Sequence, residues 1–346
     1  MKDARMIYDA WMALRASGLH ALELAGRLDV TECVMLASAC GRTGGPEVQR
    51  LEATWTELIA QLPRLGLVKA ITRNPNAVIE VEGRYDDVQF FGGGAMGQSL
   101  GTIDLRIFAT RWKSGFAVRD ETKRGTTRSL QFFDEAGTAI HKLYLRPESN
   151  HAAFDALVSQ YRSANQEPAQ TVLGPALPAP PRADGELDVT GLLAAWSAMK
   201  DTHDFFGILG KFGAARTQAL RLAAGLHTTR APVTSVDSLL RIVAERSVPI
   251  MVFVGNRGVI QIHTAVPKRV VVRDGWLNVL DPGFDLHLRQ DRVTESWIVR
   301  KPTADGIVTS LEVYSSDGEQ ITHLVGKRKP GMPESLGWRD ALAALA

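Results

Sequence analysis

Two stretches of the sequence decide the fold: SLQFFDEAGTAIHKLYL at residues 129–145 and SLEVYSSDGEQITHLVG at residues 310–326. In each stretch, apolar and polar residues alternate on both sides of a glycine, which is the pattern of two antiparallel strands joined by a tight turn. The stretches lie 181 positions apart and begin with the same Ser-Leu pair. The sequence therefore predicts that one β-hairpin occurs twice.

The offset of 181 positions also aligns the sequence upstream of the hairpins. It pairs Asp104 with Asp285 and Phe116 with Trp297. The match continues without a gap over about 65 residues, and chance rarely sustains such a match. We interpret the chain as an internal duplication.

Helices are expected ahead of the strands in each copy. Apolar residues spaced by three and four predict helices over 4–37, 47–62, 188–224 and 234–245. The alternating segments that follow predict a large antiparallel meander in each copy. The expected fold class is α+β, with two homologous halves that each contain a large antiparallel β-sheet flanked by helices.

A segment rich in proline and alanine separates the two copies. We predict an N-terminal repeat at 1–164, a linker at 165–187 and a C-terminal repeat at 188–346. Such a composition is typical of an extended segment with little helix or strand. The linker prolines are Pro168, Pro175, Pro178, Pro180 and Pro181.

The composition is that of a globular protein, with 45% hydrophobic and 23% charged residues. No apolar run approaches the roughly 18 residues of a membrane span, and early charges interrupt any signal peptide, so we expect a cytoplasmic protein without membrane insertion. A net charge of +2 predicts no nucleic-acid partner. Cys33 and Cys40 suit neither a disulfide framework nor a zinc site.

Two enzyme motifs occur in the wrong context. Gly92, Gly94 and Gly97 match the dinucleotide pattern GxGxxG, and residues 97–101 match the serine-hydrolase pattern GxSxG. Both motifs require a helix immediately afterwards, whereas a strand pattern follows here. We interpret these glycines as turn residues.

The segment DTHDFFGILG at residues 201–210 carries a candidate metal ligand. Asp201 or Thr202 would cap a helix and place His203 in its first turn, where the helix dipole favours a neutral imidazole that can bind a metal. The same helix face would carry Phe206, Gly207 and Gly210.

Glycines inside a helix cost about 1 kcal/mol each relative to alanine, and a flat ligand such as haem lying against the backbone would offset that cost. The alternative is an ordinary capping histidine on a helix whose glycines mark its end or a close helix crossing. The first copy has Leu19 at the position that matches His203, which favours one site per chain. Nearby arginines and lysines suit the two propionates of haem, although each could equally be a surface charge.

Many strings of the sequence resemble the cytosolic haemin-utilisation, or haemin-degrading, family of Gram-negative bacteria, the HemS/ChuS/HmuS type. They include DLRIF, DTHDFF, ARTQALRLA, PIMVFVGNRGVIQIHT, WIVRKPTADGIVTSLE and GKRKPG. The likeness covers nearly the whole chain and includes the duplication. It implies one molecule of haem b bound in a cleft between the halves.

The resemblance also implies roles for single residues. His203 of DTHDFF would be the axial iron ligand, and Arg106 of DLRIF would act on the opposite, distal face by ordering a water or dioxygen. Phe253 would pack against the ring. Contacts to the propionate edge or pocket wall are implied for Arg216, Lys301 of VRKPT and Arg328 of GKRKPG. In this chain His323 stands where the family often has glutamine, which could alter distal chemistry or ligation.

Two functions are compatible with this resemblance. The protein could degrade imported haem by oxygenase-like chemistry with external electrons and release iron, or it could store haem and carry it intact to a separate haem oxygenase. Both functions need a histidine ligand and contacts to an anionic edge, so the sequence does not decide between them. Expected partners are haem and a haem-import ABC transporter, an electron-donating reductase or a haem oxygenase, with the protein a monomer or dimer.

Overall fold

The computed structural model describes residues 3–122, 125–174, 180–329 and 331–345. The α-helices in these ranges are α1 (Ala4–Leu14), α2 (Ala21–Arg27), α3 (Glu32–Ala37), α4 (Trp55–Ala60), α5 (His151–Tyr161), α6 (Val189–Ser197), α7 (Asp204–Phe212), α8 (Arg216–Leu222), α9 (Ser235–Glu245) and α10 (Leu336–Ala343).

Strands follow the helices in both halves of the sequence. In the first half they are β1 (Glu47–Leu51), β2 (Val68–Arg73), β3 (Ala77–Gly83), β4 (Gln89–Phe91), β5 (Met96–Ser99), β6 (Asp104–Phe108), β7 (Ser114–Thr122), β8 (Gly125–Phe133) and β9 (Ala139–Leu145). In the second half they are β10 (Thr228–Ala231), β11 (Ile250–Gly255), β12 (Val259–Ala265), β13 (Val270–Arg273), β14 (Trp276–Asp281), β15 (Phe284–Arg289), β16 (Glu295–Thr303), β17 (Gly306–Tyr314) and β18 (Gln320–Gly326).

The strands form two nine-stranded antiparallel sheets, which confirms the predicted fold class. One sheet has the order β1-β7-β8-β9-β2-β3-β15-β14-β13, and the other has the order β10-β16-β17-β18-β11-β12-β6-β5-β4. Each sheet takes six strands from one half of the sequence and three from the other half. The alternating patterns do not predict this exchange, because they specify strands and not their distant partners.

The strand registers confirm the duplication. Phe116 pairs with Gln131 between β7 and β8, and Trp297 pairs with Glu312 between β16 and β17, each 181 positions later. The hairpins that follow share an irregularity at the same place, between Phe132 and Phe133 in one and between Val313 and Tyr314 in the other. A shared bulge shows that the repeats agree in backbone detail as well as in strand order.

Two compact units make up the chain. The first contains Met1–Arg73, Glu80–Ala176 and Gly255–Gln261, and the second contains Asn74–Ile79, Leu177–Val254 and Ile262–Ala346. Each unit thus includes one short segment from the other half of the sequence. The division into 1–164, 165–187 and 188–346 stays a prediction, and residues 175–179 of the predicted linker lie outside the described residues.

The expectation of a helix over 47–62 is wrong at its beginning. Residues Glu47–Leu51 form the edge strand β1, which pairs antiparallel with β7, and helix α4 starts only at Trp55. The segment EVQRL fits either structure by its apolar spacing. Pairing with β7 decides for a strand, because β1 supplies backbone partners that the edge of β7 would otherwise lack.

Helices cover one face of the strands within each unit. In the first unit, α1 to α3 pack against Phe116 and Val118, and both cysteines lie buried in this core as free thiols. In the second unit, α6 to α8 pack against Trp297, Val299 and Tyr314. Among the described residues, no helix has the length and apolarity needed to span a bilayer.

The two hairpin glycines offer a matched test of packing. Gly137 and Gly318 both have φ +76°, so alanine is strained at either position. A Cβ on Gly137 would clash with the Oγ1 atom of Thr31 and lie 2.9 Å from Cγ1 of Val172, whereas the nearest atom to a Cβ on Gly318 is 3.5 Å away.

We expect Gly318→Ala to lower the free energy of unfolding by about 1–2 kcal/mol through backbone strain. Gly137→Ala should cost about 1–3 kcal/mol more, because Thr31 and Val172 must move. Urea unfolding of both variants measures the difference. Equal losses would contradict the tighter packing around Gly137.

Candidate functional site

Helix α7 begins one or two residues later than the sequence suggests. Asp201 or Thr202 was the expected cap, but His203 occupies the N-cap position. The carboxylate of Asp204 accepts backbone hydrogen bonds from Lys200 and Asp201, at 3.1 and 3.0 Å, and closes the loop before the helix. Asp201 is therefore not the cap, and its own carboxylate is free to bind His203.

The ring of His203 is oriented by Asp201. Its Nδ1 atom lies 2.6 Å from Oδ1 of Asp201, which also accepts the backbone N–H of His203 at 2.8 Å. This backbone hydrogen bond is the main cause that lowers the pKa of Asp201, and the charge of Arg328 contributes. The side chain of His203 is 88% exposed. A carboxylate on Nδ1 favours the tautomer that carries its proton there and leaves Nε2 with a free lone pair.

The helix face next to His203 is open. Phe206 is 82% exposed, whereas its neighbour Phe205 is buried in the core. A Cβ added at Gly207 or Gly210 would have no heavy atom within 4 Å among the described residues. A close helix crossing therefore does not explain these glycines, and the face can accept a flat group at the level of the backbone.

The structure confirms the alignment of Leu19 with His203 at an offset of 184 positions. The Asp29 N–H donates to the Gly26 carbonyl at the end of α2, just as the Gly213 N–H donates to the Gly210 carbonyl at the end of α7. At this offset, Leu22, Glu23 and Gly26 of α2 take the places of Phe206, Gly207 and Gly210. Helix α2 therefore has a leucine in place of the histidine and carries the Glu23 side chain where α7 has Gly207.

A fully buried carboxylate, Glu312 on β17, organises the basic residues of the second unit. Arg216 at the start of α8 donates to it from Nε and Nη2, at 3.0 and 2.8 Å, and Lys301 on β16 donates at 2.8 Å. Tyr314 and Gln320 add hydrogen bonds of 2.5 and 3.1 Å. Burial alone would raise the pKa of Glu312, but Arg216 and Lys301 hold it well below the usual range.

Sequence reasoning missed Glu312, Tyr314 and Gln320. The available signal was Glu312 itself, a charged residue inside the apolar strand SLEVY, where the first repeat has Gln131. Lys301 was expected to contact an anionic ligand and stays a prediction in that role. The structure shows that Arg216 and Lys301 are positioned by Glu312, and two cations against one carboxylate leave a net positive charge.

Phe205 connects this cluster to α7. The guanidinium of Arg216 lies 5.2 Å from the centre of the Phe205 ring, and Nζ of Lys301 lies 4.8 Å from it. These distances are typical of cation–π contacts. Helix α7, which His203 caps, therefore packs through Phe205 against the two cations that bind Glu312.

An aromatic pair extends the cluster across the sheet. Phe253 on β11 and His323 on β18 are register partners, and their rings stack with centres 4.1 Å apart. His323 also lies opposite Glu312 in the neighbouring ladder. Burial lowers the pKa of His323 to about 3, with Glu312 opposing the shift and Lys301 and Arg216 adding to it. The ring is therefore neutral at neutral pH.

Two predicted residues stand apart from this cluster. Arg328 follows β18 and lies 3.7 Å from a carboxylate oxygen of Asp305. Arg106 belongs to β6 in the first unit, pairs with Asp104 and lies opposite Gln98 in the ladder. Its placement on the other face of a ligand bound to His203 stays a prediction.

Comparison with known proteins gives the family. The haemin-degrading HemS.ChuX domain matches residues 29–161 and again residues 213–345. The chain belongs to this family. The predicted resemblance is thereby confirmed, together with the duplication.

Similar proteins include the hemin transport protein HemS of Yersinia enterocolitica, 36% identical over 346 residues, covering 99% of this chain and 98% of HemS. The solved structure of holo-PhuS, a heme-binding protein from Pseudomonas aeruginosa, is 42% identical, with a TM-score of 0.95 and coverage of 100% and 99%. The heme-degrading enzyme ChuS of Escherichia coli O157:H7 is 33% identical, with a TM-score of 0.91 and 99% coverage of both chains.

The neutral state of His323 predicts a pH effect on stability. As the pH falls below about 6.5, the unfolded chain protonates this histidine while the folded chain does not, so the parent protein loses stability. We expect His323→Gln to reduce the stability lost between pH 6.5 and 5 by up to about 2 kcal/mol.

Urea unfolding at several pH values measures this difference. Part of the pH dependence should remain in the variant, because burial also lowers the pKa of His141 to about 3. An unchanged loss of stability in His323→Gln would contradict the neutral, folded-state His323.

Proposed function

We propose that this protein binds haem b through His203 and degrades it with electrons supplied from outside. The observation that carries the proposal is the exposed His203 ring, with Nδ1 on Asp201, beside the open face of Phe206, Gly207 and Gly210. A single histidine is enough for iron that a macrocycle already coordinates. The residues present fit this group.

Other residues of the second unit would hold the remaining parts of the ligand. Phe206 and Phe253 offer apolar surface to the ring, and His323 stacks on Phe253. Arg216, Lys301 and Arg328 would attract the propionates. The net positive charge around Glu312 supports this role, because the buried carboxylate compensates only one of the two cations it binds.

When bound, haem supplies the iron and macrocycle on which oxygenase-like chemistry depends. The side chains of the protein would orient the ligand and hold protons at defined atoms. Asp201 holds the proton of His203 Nδ1 and directs Nε2 outward, and Arg106 would donate hydrogen bonds on the distal face. The GxGxxG match at Gly92, Gly94 and Gly97 lies in the β4–β5 hairpin and not before a helix, so a separate reductase or small reductant would provide the electrons.

A second candidate function is that of a carrier that stores haem or delivers it intact to a separate haem oxygenase. The names of the relatives favour it in part, since HemS is a hemin transport protein while ChuS is a heme-degrading enzyme. We propose a cytoplasmic location for either function, with a haem-import ABC transporter as the source of haem and a monomer or dimer as the working form.

Single-turnover spectra separate the two functions. Haem-loaded protein is given a reductant and oxygen, with catalase present to remove free peroxide. Loss of the Soret band with appearance of an open-chain tetrapyrrole supports degradation. A Soret band that persists until a haem oxygenase is added supports the carrier.

We expect His203→Ala to weaken haem affinity by at least about 100-fold, or roughly 2.7 kcal/mol, because the axial ligand is lost. Haemin titration followed by the Soret band measures both affinity and ligation. His20→Ala is the matched control, since His20 is also exposed and also caps a helix. An unaltered spectrum in His203→Ala would make His323 the next candidate ligand.

Arg106→Ala should keep haem affinity within about tenfold, or roughly 1.4 kcal/mol, while slowing or redirecting degradation much more strongly. The physical reason is that a distal hydrogen bond contributes to the reaction more than to ligand binding. Haem affinity and the rate of Soret loss are measured with catalase present. Equal rates in parent and variant would remove Arg106 from the reaction and favour the carrier.

A further inference from the structure

The first repeat fills a groove beside its edge strand with its own chain. Residues 163–173, which follow α5, run from β1 past Phe116 to the turn at Gly137. The side chain of Gln166 imitates a neighbouring strand: its Oε1 accepts the Arg50 backbone N–H at 3.0 Å, and its Nε2 donates to the Arg50 carbonyl at 3.0 Å.

The Arg50 side chain fixes the middle of this segment. Its guanidinium donates to the carbonyls of Glu167 and Ala169, at 3.1 and 2.7 Å, while lying 5.2 Å from the centre of the Phe116 ring. At the far end, Val172 packs over Gly137, and the Leu173 N–H donates to the Glu135 carbonyl at 2.8 Å.

The second repeat builds the same groove with equivalent residues. Arg230 on the edge strand β10 pairs with Trp297 in the same register as Arg50 with Phe116, and its guanidinium lies 5.8 Å from the Trp297 ring. Gly318 stands in the place of Gly137, with the same φ. A cavity of about 310 Å³ lies here, lined in part by Thr217, Arg221 and Glu295.

Residues 181–184 line one side of this second groove, but no described residue makes with Arg230 the contacts that Gln166 and Glu167 make with Arg50. Arg230 is exposed, and its guanidinium has no hydrogen-bond or ion-pair partner in the described ranges. The neighbouring acids are already engaged: Asp184 binds Arg221 through two hydrogen bonds, at 2.8 and 2.7 Å, and Glu295 accepts from the Trp297 indole at 2.8 Å. Arg230 is thus the charge left for a ligand.

We propose that the groove of Arg230, Trp297 and Gly318 docks an extended segment of a partner protein. The first repeat defines the chemistry of that segment. It carries a glutamine that spans the Arg230 N–H and carbonyl, backbone carbonyls that accept from the guanidinium, and a β-branched aliphatic residue six positions later over Gly318. This is edge-strand recognition of a peptide, and a neutral or acidic segment suits the free Arg230 charge.

The probe is a capped, fluorescein-labelled peptide with the sequence of residues 163–173, SANQEPAQTVL. We expect saturable binding to the full-length protein in fluorescence anisotropy, with a Kd below about 1 mM. Arg230→Ala should weaken binding at least tenfold. Arg241→Ala, which removes another exposed arginine that pairs with Asp237 on α9, should leave it unchanged.

Changes in the peptide test the same contacts without altering the protein. Peptides with Gln166→Ala or Val172→Asp should each bind at least tenfold more weakly. A photo-reactive benzoylphenylalanine in place of Val172 should cross-link near Thr217 and Gly318. Binding that does not saturate by 1 mM, equal binding of a scrambled peptide, or cross-links near Arg50 would each overturn the proposal.

A second copy of this chain is the competing occupant, and light scattering over a range of protein concentrations tests it. A monomer, or a dimer unaffected by Arg230→Ala, agrees with a partner protein as the occupant. Dimerisation that Arg230→Ala abolishes would overturn the proposal in favour of exchange of residues 163–173 between copies.

Discussion

Each unit depends on a hairpin turn supplied by the other half of the sequence, and one asparagine amide holds each turn. In the second unit, Asn74 donates to the Ile321 carbonyl at 2.9 Å and accepts from two backbone N–H groups of its own turn. In the first unit, Asn256 donates to the carbonyls of Arg73 and Ile140, at 2.9 and 2.8 Å. Because each amide satisfies backbone carbonyls of distant strands, hydrogen bonds as well as apolar packing hold each turn in its unit.

The candidate site depends on a second buried polar group. Glu312 positions Arg216 and Lys301, and these cations support the Phe205 ring beneath α7. Removing one member of such a network would leave another charge buried without a partner, which is costly. The first repeat has a simpler arrangement, in which Lys142 pairs with Glu32. The two repeats thus differ both in this buried cluster and in the helix face, which is open on α7 and not on α2.

Sequence patterns predicted the site in part. His203 and its neighbouring glycines could be singled out because cap position and helical spacing are local properties. The cap itself was misplaced by one or two residues. The path of the loop decides which backbone N–H groups reach the Asp201 carboxylate and which reach that of Asp204, and the sequence does not show this path. Glu312 was missed because its role is to bind Arg216, which lies 96 positions away in the chain.

The sequence by itself determined the duplication, the alternation of strands, the register of equivalent hairpins and the family. These follow from periodicity and from residues that repeat at a constant offset. Only the tertiary structure decided that three strands of each half join the other sheet, that Glu312 holds the cations, and that Arg230 has no polar partner in the described part of the chain where Arg50 has several. The physical reason is that such features depend on hydrogen bonds and charges between distant segments, which no local pattern records.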